Sequence, residues 1–199
     1  MTTHAPFARK PTLAGDRVIL RPFETTDIDA MGPVLADPEV LILTGSVHTS
    51  AEAHGRSADL DAATREWYET RAAQSDRLDL AIIDRESSAC VGEVVLNELH
   101  VENDSCNFRI LIGPAGRDRG LGTEATRLIL DHAFATTQLN RIGLEVFAFN
   151  PRAQRMYRGA GFALEGTRRA AHRFDGAYVD AVIMAIIRSD AVSQHELPA

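Results

Sequence analysis

A glycine-rich stretch past the middle of the chain, GRDRGLGTEA from Gly116 to Ala125, has the composition of a phosphate-binding turn. Two arginines precede two glycines that lie one residue apart, and a helix-forming run follows. Glycine lets the main chain approach a ligand closely, and the first N–H groups of a helix favour an anion. We therefore expect this loop to hold a pyrophosphate. The residues concerned are Arg117, Arg119, Gly120, Leu121, Gly122 and Thr123.

Two other phosphate motifs compete for the same stretch. GLGTEA from Gly120 fits the dinucleotide pattern G-x-G-x-x-A, and Glu145 lies near the position of a ribose-binding acid. A dinucleotide-binding domain opens on this motif, however, whereas here it follows several strand-like runs. A P-loop requires G-K-[ST], and Lys10 is the only lysine. A nucleotide-dependent oxidoreductase therefore ranks last, and a plain strand-to-helix turn remains the alternative without function.

The pattern R-x-x-G-x-G, filled by Arg117, Gly120 and Gly122, resembles the acetyl-CoA pyrophosphate loop of the GNAT superfamily of N-acetyltransferases. Further family features follow in order: a strand that ends before Asn150, and a helix that contains Tyr157. A Gly-Phe boundary, E-G-x-x-R over 165–169 and D-G-x-Y-x-D over 175–180 complete the series. These last motifs resemble the RimJ/RimL branch, the ribosomal-protein N-terminal acetyltransferases and their relatives. The likeness extends from residue 17 to residue 188.

The resemblance implies an acetyl-CoA-dependent N-acetyltransferase that acts on a primary amine, either a protein N-terminus or a small molecule. It implies an α/β (α+β) fold with a mainly antiparallel central sheet of about seven strands, flanked by helices and splayed to form an acyl-CoA slot. Main-chain groups of Ile110, Leu111 and Ile112 would bind the pantetheine arm. Asn150 would hydrogen-bond the same arm, and Tyr157 would protonate the departing thiolate. Homodimerisation is also implied by the resemblance alone.

The general base is less well defined, because several carboxylates lie on strands that could face the cleft. Glu93, Glu98 and Glu145 are the candidates, and Glu93 and Glu98 are the ones predicted to be catalytic, although solvated or ion-paired carboxylates are the commoner outcome. The branch usually has an acid and then a glycine beside an aromatic in the strand before the loop, whereas this chain has Asn107, Phe108, Arg109 and Ile110. A guanidinium pairs well with a carboxylate, so succinyl-CoA is an alternative donor. A non-catalytic acyl-CoA-binding module is the other alternative.

The elements needed to position these residues can be placed from hydrophobic periodicity and turn residues. A first helix is expected to start from a Thr26–Asp29 capping box, to be broken at Gly32-Pro33 and to end near Asp37-Pro38. Further helices are expected over 49–74, 123–137 and 151–160. The chain after residue 188 is expected to be a loose terminus. Strands are expected over 17–22, 77–85, 89–99, 106–113, 141–149, 162–168 and 178–188.

Composition limits the remaining possibilities. The 199 residues, 45% of them hydrophobic, suit one globular domain over 1–199 with a core of about 17–188. A net charge of −7 argues against a nucleic-acid partner. Cys90 and Cys106 lack metal-ligand spacing, so we expect free thiols and no metal. The chain has no signal-like or membrane-spanning run, and we expect a soluble, cytoplasmic protein.

Overall fold

An eight-stranded sheet forms the centre of the protein in the computed structural model, which describes residues 6–195. The strands are β1 (Leu13–Ala14), β2 (Val18–Arg21), β3 (Leu78–Asp84), β4 (Cys90–His100), β5 (Ser105–Ile112), β6 (Arg141–Phe147), β7 (Ala163–Phe174) and β8 (Ala177–Ile187). Their order across the sheet is β1-β2-β3-β4-β5-β6-β8-β7, and only β5 and β6 pair in parallel. The mainly antiparallel architecture is thereby confirmed. The strand beyond the expected seven is β1, whose two residues are too few to show a period.

Helices cover both faces of the sheet. They are α1 (Thr25–Ala36), α2 (Pro38–Leu43), α3 (Ala62–Arg71), α4 (Leu121–Thr136), α5 (Pro151–Gly159) and α6 (Arg188–His195). One apolar cluster joins α4 to β2, β3 and β4, with Ile129 among its fully buried members. A second cluster packs Met31 of α1 and Tyr68 of α3 against Leu111 of β5. Because strand side chains alternate, β5 contributes Leu111 to one face and Ile110 to the other.

The start of α1 differs from the sequence prediction. The N-cap is Glu24, whose main-chain N–H donates to Asp27 over 2.8 Å in a capping box two residues earlier than expected. Arg21 donates to both carboxylate oxygens of Asp27, which fixes Asp27 beside the helix end. Asp29, the expected capping partner, instead pairs with Arg65 at 2.6 Å. The predicted Thr26–Asp29 box is therefore wrong because tertiary ion pairs select the carboxylate that caps the helix.

The segment predicted as one helix over 49–74 is helical only in its second half. Residues 49–61 form turns, and Gly55 has a φ of 77°. Asp61 then caps α3 by accepting the Thr64 N–H at 2.7 Å. Small and polar residues dominate 49–61, so a helix there would have little apolar surface to bury.

The C-terminal part is more regular than the sequence indicated. β7 continues to Phe174, and a two-residue turn at Asp175-Gly176, with φ values of 46° and 81°, connects it to β8. Positive φ at both turn residues is the conformation that Asp-Gly favours in hairpins. The expected loose terminus begins as α6, which ends at His195, and the rest of that terminus lies outside the described residues.

Candidate active site

A slot opens where β5 and β6 separate. The two strands pair only over 105–107 and 141–143, and beyond these residues they diverge. Since β5 pairs with β4 on its other edge, half of its main-chain groups between Phe108 and Ile112 face the slot. The gap belongs to a cavity of about 820 Å³. Its lining includes Asn107, Phe108, Arg109, Ile110, Leu111, Ile112, Gly120, Gly122, Thr123, Asn150, Arg152 and Tyr157.

The glycine-rich loop closes one end of this cavity. Gly120 is the N-cap of α4, has a φ of 77° and provides no side-chain cap. The first N–H groups of α4 therefore lack partners within the helix, and Gly122 and Thr123 line the cavity there. A β-carbon at Gly122 would lie 3.3 Å from the Met156 sulfur, so glycine keeps the passage open. The geometry suits an anion such as a pyrophosphate.

The arginine side chains of the loop are occupied by carboxylates. Arg117 binds Asp37 and Glu39, with an Nη1–Oε2 distance of 2.9 Å to the latter, and so fixes the loop to α2. Arg119 binds Asp84 at 2.9 Å and Glu86 at 2.6 Å, on the side of the loop away from the slot. Arg117 is among the residues that line the cavity, whereas Arg119 and Leu121 are not. The cofactor-binding roles expected for Arg119 and Leu121 therefore stay predictions.

Arg152 is a cavity residue that the sequence did not reveal. It lies in the first turn of α5, pairs with Glu39 and has its Nη1 3.9 Å from Asp118. Its side chain is 45% exposed, so the guanidinium retains donors for a phosphate. An arginine immediately after the Asn-Pro that starts the helix was the available signal.

Tyr157 closes the other end of the slot. Its ring is 8% exposed and packs edge-on against Phe108 and Phe162, at centroid distances of 6.0 and 5.8 Å. Burial raises the pKa of the Tyr157 phenol above its ordinary value, so the hydroxyl keeps its proton at neutral pH. Asn150 caps α5 by accepting the Ala153 N–H at 3.0 Å, which leaves its amide NH₂ available at the cavity.

The carboxylate candidates occupy different environments. Glu98 is exposed, lines the cavity and has a φ of 52° at an irregularity in β4. Glu145 also lines the cavity but pairs with Arg168. Glu93 is 1% exposed and lies outside the cavity lining, beneath α3. Of the two glutamates predicted to be catalytic, only Glu98 therefore lines the cavity.

Glu93 is connected to the cavity through Arg109. The Arg109 Nη2 lies 4.0 Å from Glu93 Oε1, and Glu93 Oε2 is buried without a hydrogen-bond partner. Burial raises the pKa of Glu93 to about 7, while Arg109 and the Tyr68 hydroxyl oppose this rise. Near neutral pH, Glu93 is thus divided between its neutral and charged forms. Arg109 itself is 47% exposed and lines the cavity.

The fold and the slot together define the class of protein. The chain belongs to the acetyltransferase (GNAT) domain family, whose model matches residues 17–163. The predicted superfamily is thus confirmed. The described residues contain no group of three or more potential metal ligands. Within the same residues, no helix is long and apolar enough to cross a membrane.

Named relatives place the chain more closely. It is 30% identical over 125 residues to the spermidine N(1)-acetyltransferase of Escherichia coli K12, a match that spans 63% of this chain and 66% of that enzyme, slightly less than two thirds of its length. It is 25% identical over 178 residues to the L-amino acid N-acetyltransferase AaaT of the same organism, spanning 86% and 98% of the two chains.

A solved structure extends the comparison of the fold. The spermidine N-acetyltransferase of Vibrio cholerae, solved with CoA and spermine, superimposes with a TM-score of 0.75 at 21% identity, over 89% of this chain and 99% of that one. The names of these relatives refer to spermidine and L-amino acids rather than to ribosomal proteins. Membership is therefore established for the superfamily and not for the RimJ/RimL branch.

Proposed function

We propose that the protein transfers the acetyl group of acetyl-CoA to a primary amine. The observation that supports this most directly is the slot between β5 and β6, with an uncapped helix N-terminus at one end and Tyr157 at the other. A strand rises about 3.3 Å per residue, so Phe108 and Ile112 are separated by roughly 13 Å. That length suits an extended thioester arm with its phosphates at the loop and its acyl group near Tyr157.

The residues around the slot would each contribute to acyl transfer. An N–H of β5 near Ile110 polarises the thioester carbonyl, whose carbon is attacked by the neutral amine. Tyr157 gives its proton to the thiolate as the carbon–sulfur bond breaks. Glu98 accepts the proton that the amine loses, directly or through water. Glu93 does not reach the cavity and acts through Arg109, so it is a positioning residue.

The first test is calorimetric titration with acetyl-CoA, with NAD and ATP as controls. Saturable binding of acetyl-CoA alone is expected, followed by release of CoA when amines are added. The amines to screen are spermidine, L-amino acids and peptides with free N-termini. Binding of NAD without acetyl-CoA would instead favour the dinucleotide interpretation. CoA release that no amine accelerates would contradict the proposed reaction.

Two related functions are separated by the same assay. A non-catalytic acyl-CoA-binding module would bind acetyl-CoA without turnover and would be indifferent to the Tyr157 hydroxyl. A succinyltransferase would prefer succinyl-CoA, because Arg109 lines the cavity and could bind the second carboxylate. Equal turnover of both donors would remove the support for that preference. The homodimer implied by the resemblance stays a prediction, to be tested by sedimentation velocity.

A further inference from the structure

Two residues that line the cavity, one cation and one anion, are not committed to strong partners. Arg109 is 47% exposed, and its one salt bridge among the described residues is the 4.0 Å contact with Glu93. Glu98 is exposed and takes part in none of the salt bridges of the described residues. Elsewhere around the cavity, Glu145 pairs with Arg168, and both Arg117 and Arg152 pair with Glu39. Asp118, in the glycine-rich loop, lies 3.9 Å from Arg152.

The contact between Arg109 and Glu93 is weak for a buried partner. A strong charge-assisted hydrogen bond has a nitrogen-to-oxygen distance of about 2.7–2.9 Å. Here the distance is 4.0 Å, and the second oxygen of Glu93 has no hydrogen-bond partner. Glu93 therefore holds the guanidinium near the wall of the cavity without using its donors. Those donors remain available for a ligand with a planar, two-oxygen anion.

The position of Arg109 along β5 decides which part of a ligand it meets. It follows Phe108, whose ring contacts Tyr157, and precedes Ile112 by three residues. At about 3.3 Å per residue, roughly 10 Å separates it from the end of the strand where the phosphate-binding loop begins. Its side chain shares a face with Glu93 and Leu111, toward α1 and α3. The guanidinium thus lies at the acyl end of the slot.

We propose that the acetyl acceptor is a free α-amino acid, with its carboxylate bound by Arg109 and its amino group directed toward Glu98. This rests on the proposed function, since it names the acceptor of that reaction. An α-amino acid has its two opposite charges on one carbon, and Arg109 and Glu98 provide a cation and an anion that both line the cavity. A guanidinium binds a carboxylate through two parallel hydrogen bonds, and so fixes the orientation of the amine.

Two other acceptor classes fit this end of the cavity less well. A polyamine is a polycation that several carboxylates would stabilise, but Glu145 is already paired and Arg109 would repel it. A peptide N-terminus has an amide in place of the carboxylate and cannot form the bidentate pair. Both remain informative as substrates in the test, because preference for either would overturn the assignment.

The experiment compares acceptors that differ only at the carboxylate. With acetyl-CoA as donor, kcat/KM is measured by CoA release for an L-amino acid, its carboxamide and the corresponding decarboxylated amine, with spermidine as a further acceptor. We expect the acid to exceed the carboxamide by about tenfold or more, because a site built for a charged partner discriminates strongly against analogues that lack it. The amine of a carboxamide is less basic than that of the acid, so a larger fraction of it is neutral and nucleophilic near neutral pH. Amine reactivity alone would therefore make the carboxamide the faster acceptor.

Variants at Arg109 then assign the preference to one residue. Arg109→Ala should lower kcat/KM for the amino acid at least about tenfold more than for the carboxamide, and Arg109→Lys should retain part of the preference. Arg155→Ala, at an exposed position on α5, is the matched control. A circular-dichroism melt of each variant establishes that it is folded. If Arg109→Ala does not fold, the acceptor preference of Arg109→Lys still tests the role of Arg109.

The outcomes separate the two levels of the proposal. Equal or greater kcat/KM for the carboxamide or spermidine would overturn the amino-acid assignment while leaving acetyl transfer intact. An equal loss for all acceptors in Arg109→Ala would do the same. If no amine accelerates CoA release from bound acetyl-CoA, the proposed function itself fails. A preference for succinyl-CoA with acceptors lacking a carboxylate would assign Arg109 to the donor instead.

Discussion

Burial raises the pKa of two residues, one that lines the slot and one that lies behind it. Tyr157 packs against two aromatic rings at the end of the slot, and burial raises its pKa, so that the phenol keeps its proton at neutral pH. Glu93 lies under α3, where burial raises its pKa to about 7. Tyr157 is thus kept in a single protonation state at neutral pH, whereas Glu93 can change its charge.

Tyr157→Phe should separate catalysis from binding. The ring keeps its packing against Phe108 and Phe162, and only the hydroxyl is lost. We expect kcat to fall by about 10²-fold, the usual contribution of a positioned proton donor, with the Kd for acetyl-CoA nearly unchanged. Steady-state kinetics and calorimetry measure the two quantities. Tyr178→Phe, at a position that is 72% exposed, is the control, and an unchanged kcat in Tyr157→Phe would exclude the assigned role.

Glu93 should make the stability of the fold depend on pH. Its pKa is raised from 4.5 to about 7 in the folded protein, so between these values the folded state binds more protons than the unfolded state. Stability attributable to Glu93 is therefore lost as pH rises from about 4.5 to about 7, by a few kcal/mol at most. Relative to the wild type, Glu93→Gln should therefore become more stable as the pH is raised from 5 to 8, as measured by urea unfolding.

Asp84, a carboxylate whose pKa is lowered rather than raised, provides the control for this measurement. Hydrogen bonds from Arg119 and Ser87 lower the pKa of Asp84 to about 2, so its contribution is complete above pH 4. The stability difference between wild type and Asp84→Asn should be constant from pH 5 to pH 8. A Glu93→Gln difference that is equally constant would show that Glu93 has an ordinary pKa.

At the scale of elements, Gly32 does not break α1 as the sequence analysis predicted. A neighbouring segment of the chain packs closely against the helix at this residue. The helix runs through Gly32-Pro33 without interruption to Ala36. A β-carbon on Gly32 would lie 1.9 Å from the Ala58 carbonyl oxygen, so the irregular 49–61 segment packs directly on the helix there. The glycine provides room for a neighbouring segment rather than a helix break.

Gly32→Ala should consequently destabilise the protein by about 1–3 kcal/mol or more, because main-chain atoms must move to relieve the overlap. Gly159→Ala in α5 is the matched control. Nothing lies within 4 Å of a β-carbon there, and alanine favours a helix over glycine by up to about 1 kcal/mol. Urea unfolding measures both variants. Equal stability of the two would mean that residues 56–60 do not pack against α1 as described.

Elements with strong periodicity could be predicted from sequence, and those set by distant partners could not. The runs that became β3, β4, β5 and α4 are apolar at regular spacing, and each was predicted within a few residues. The capping residue of α1 is selected by the ion pair between Arg21 and Asp27. Only the second half of 49–74 is helical, because the first half has little apolar surface to bury. The glycines of the slot were visible as a motif, whereas the pairing of Arg119 with Asp84, 35 residues away, was not.

For the whole molecule, the slot is also the place where pairing inside the sheet is short. β5 and β6 share three residue pairs, whereas β6 and β8 share seven. The main-chain groups of β5 that face the slot, together with the uncapped start of α4, are polar groups that a ligand could satisfy. We therefore expect bound acetyl-CoA to connect the two parts of the sheet and to stabilise the folded state as a whole.

Acetyl-CoA at one hundred times its Kd should raise the free energy of unfolding by about 2.7 kcal/mol, as mass action requires for a ligand that binds only the folded state. Tyr157→Phe should gain the same amount at the same saturation, since only proton donation is removed. Hydrogen exchange should slow at residues 108–112 and 120–123, where the ligand would contact the main chain. NAD at equal concentration should change neither quantity. Protection confined to 13–21 or 78–84, away from the slot, would place the acetyl-CoA site elsewhere on the molecule.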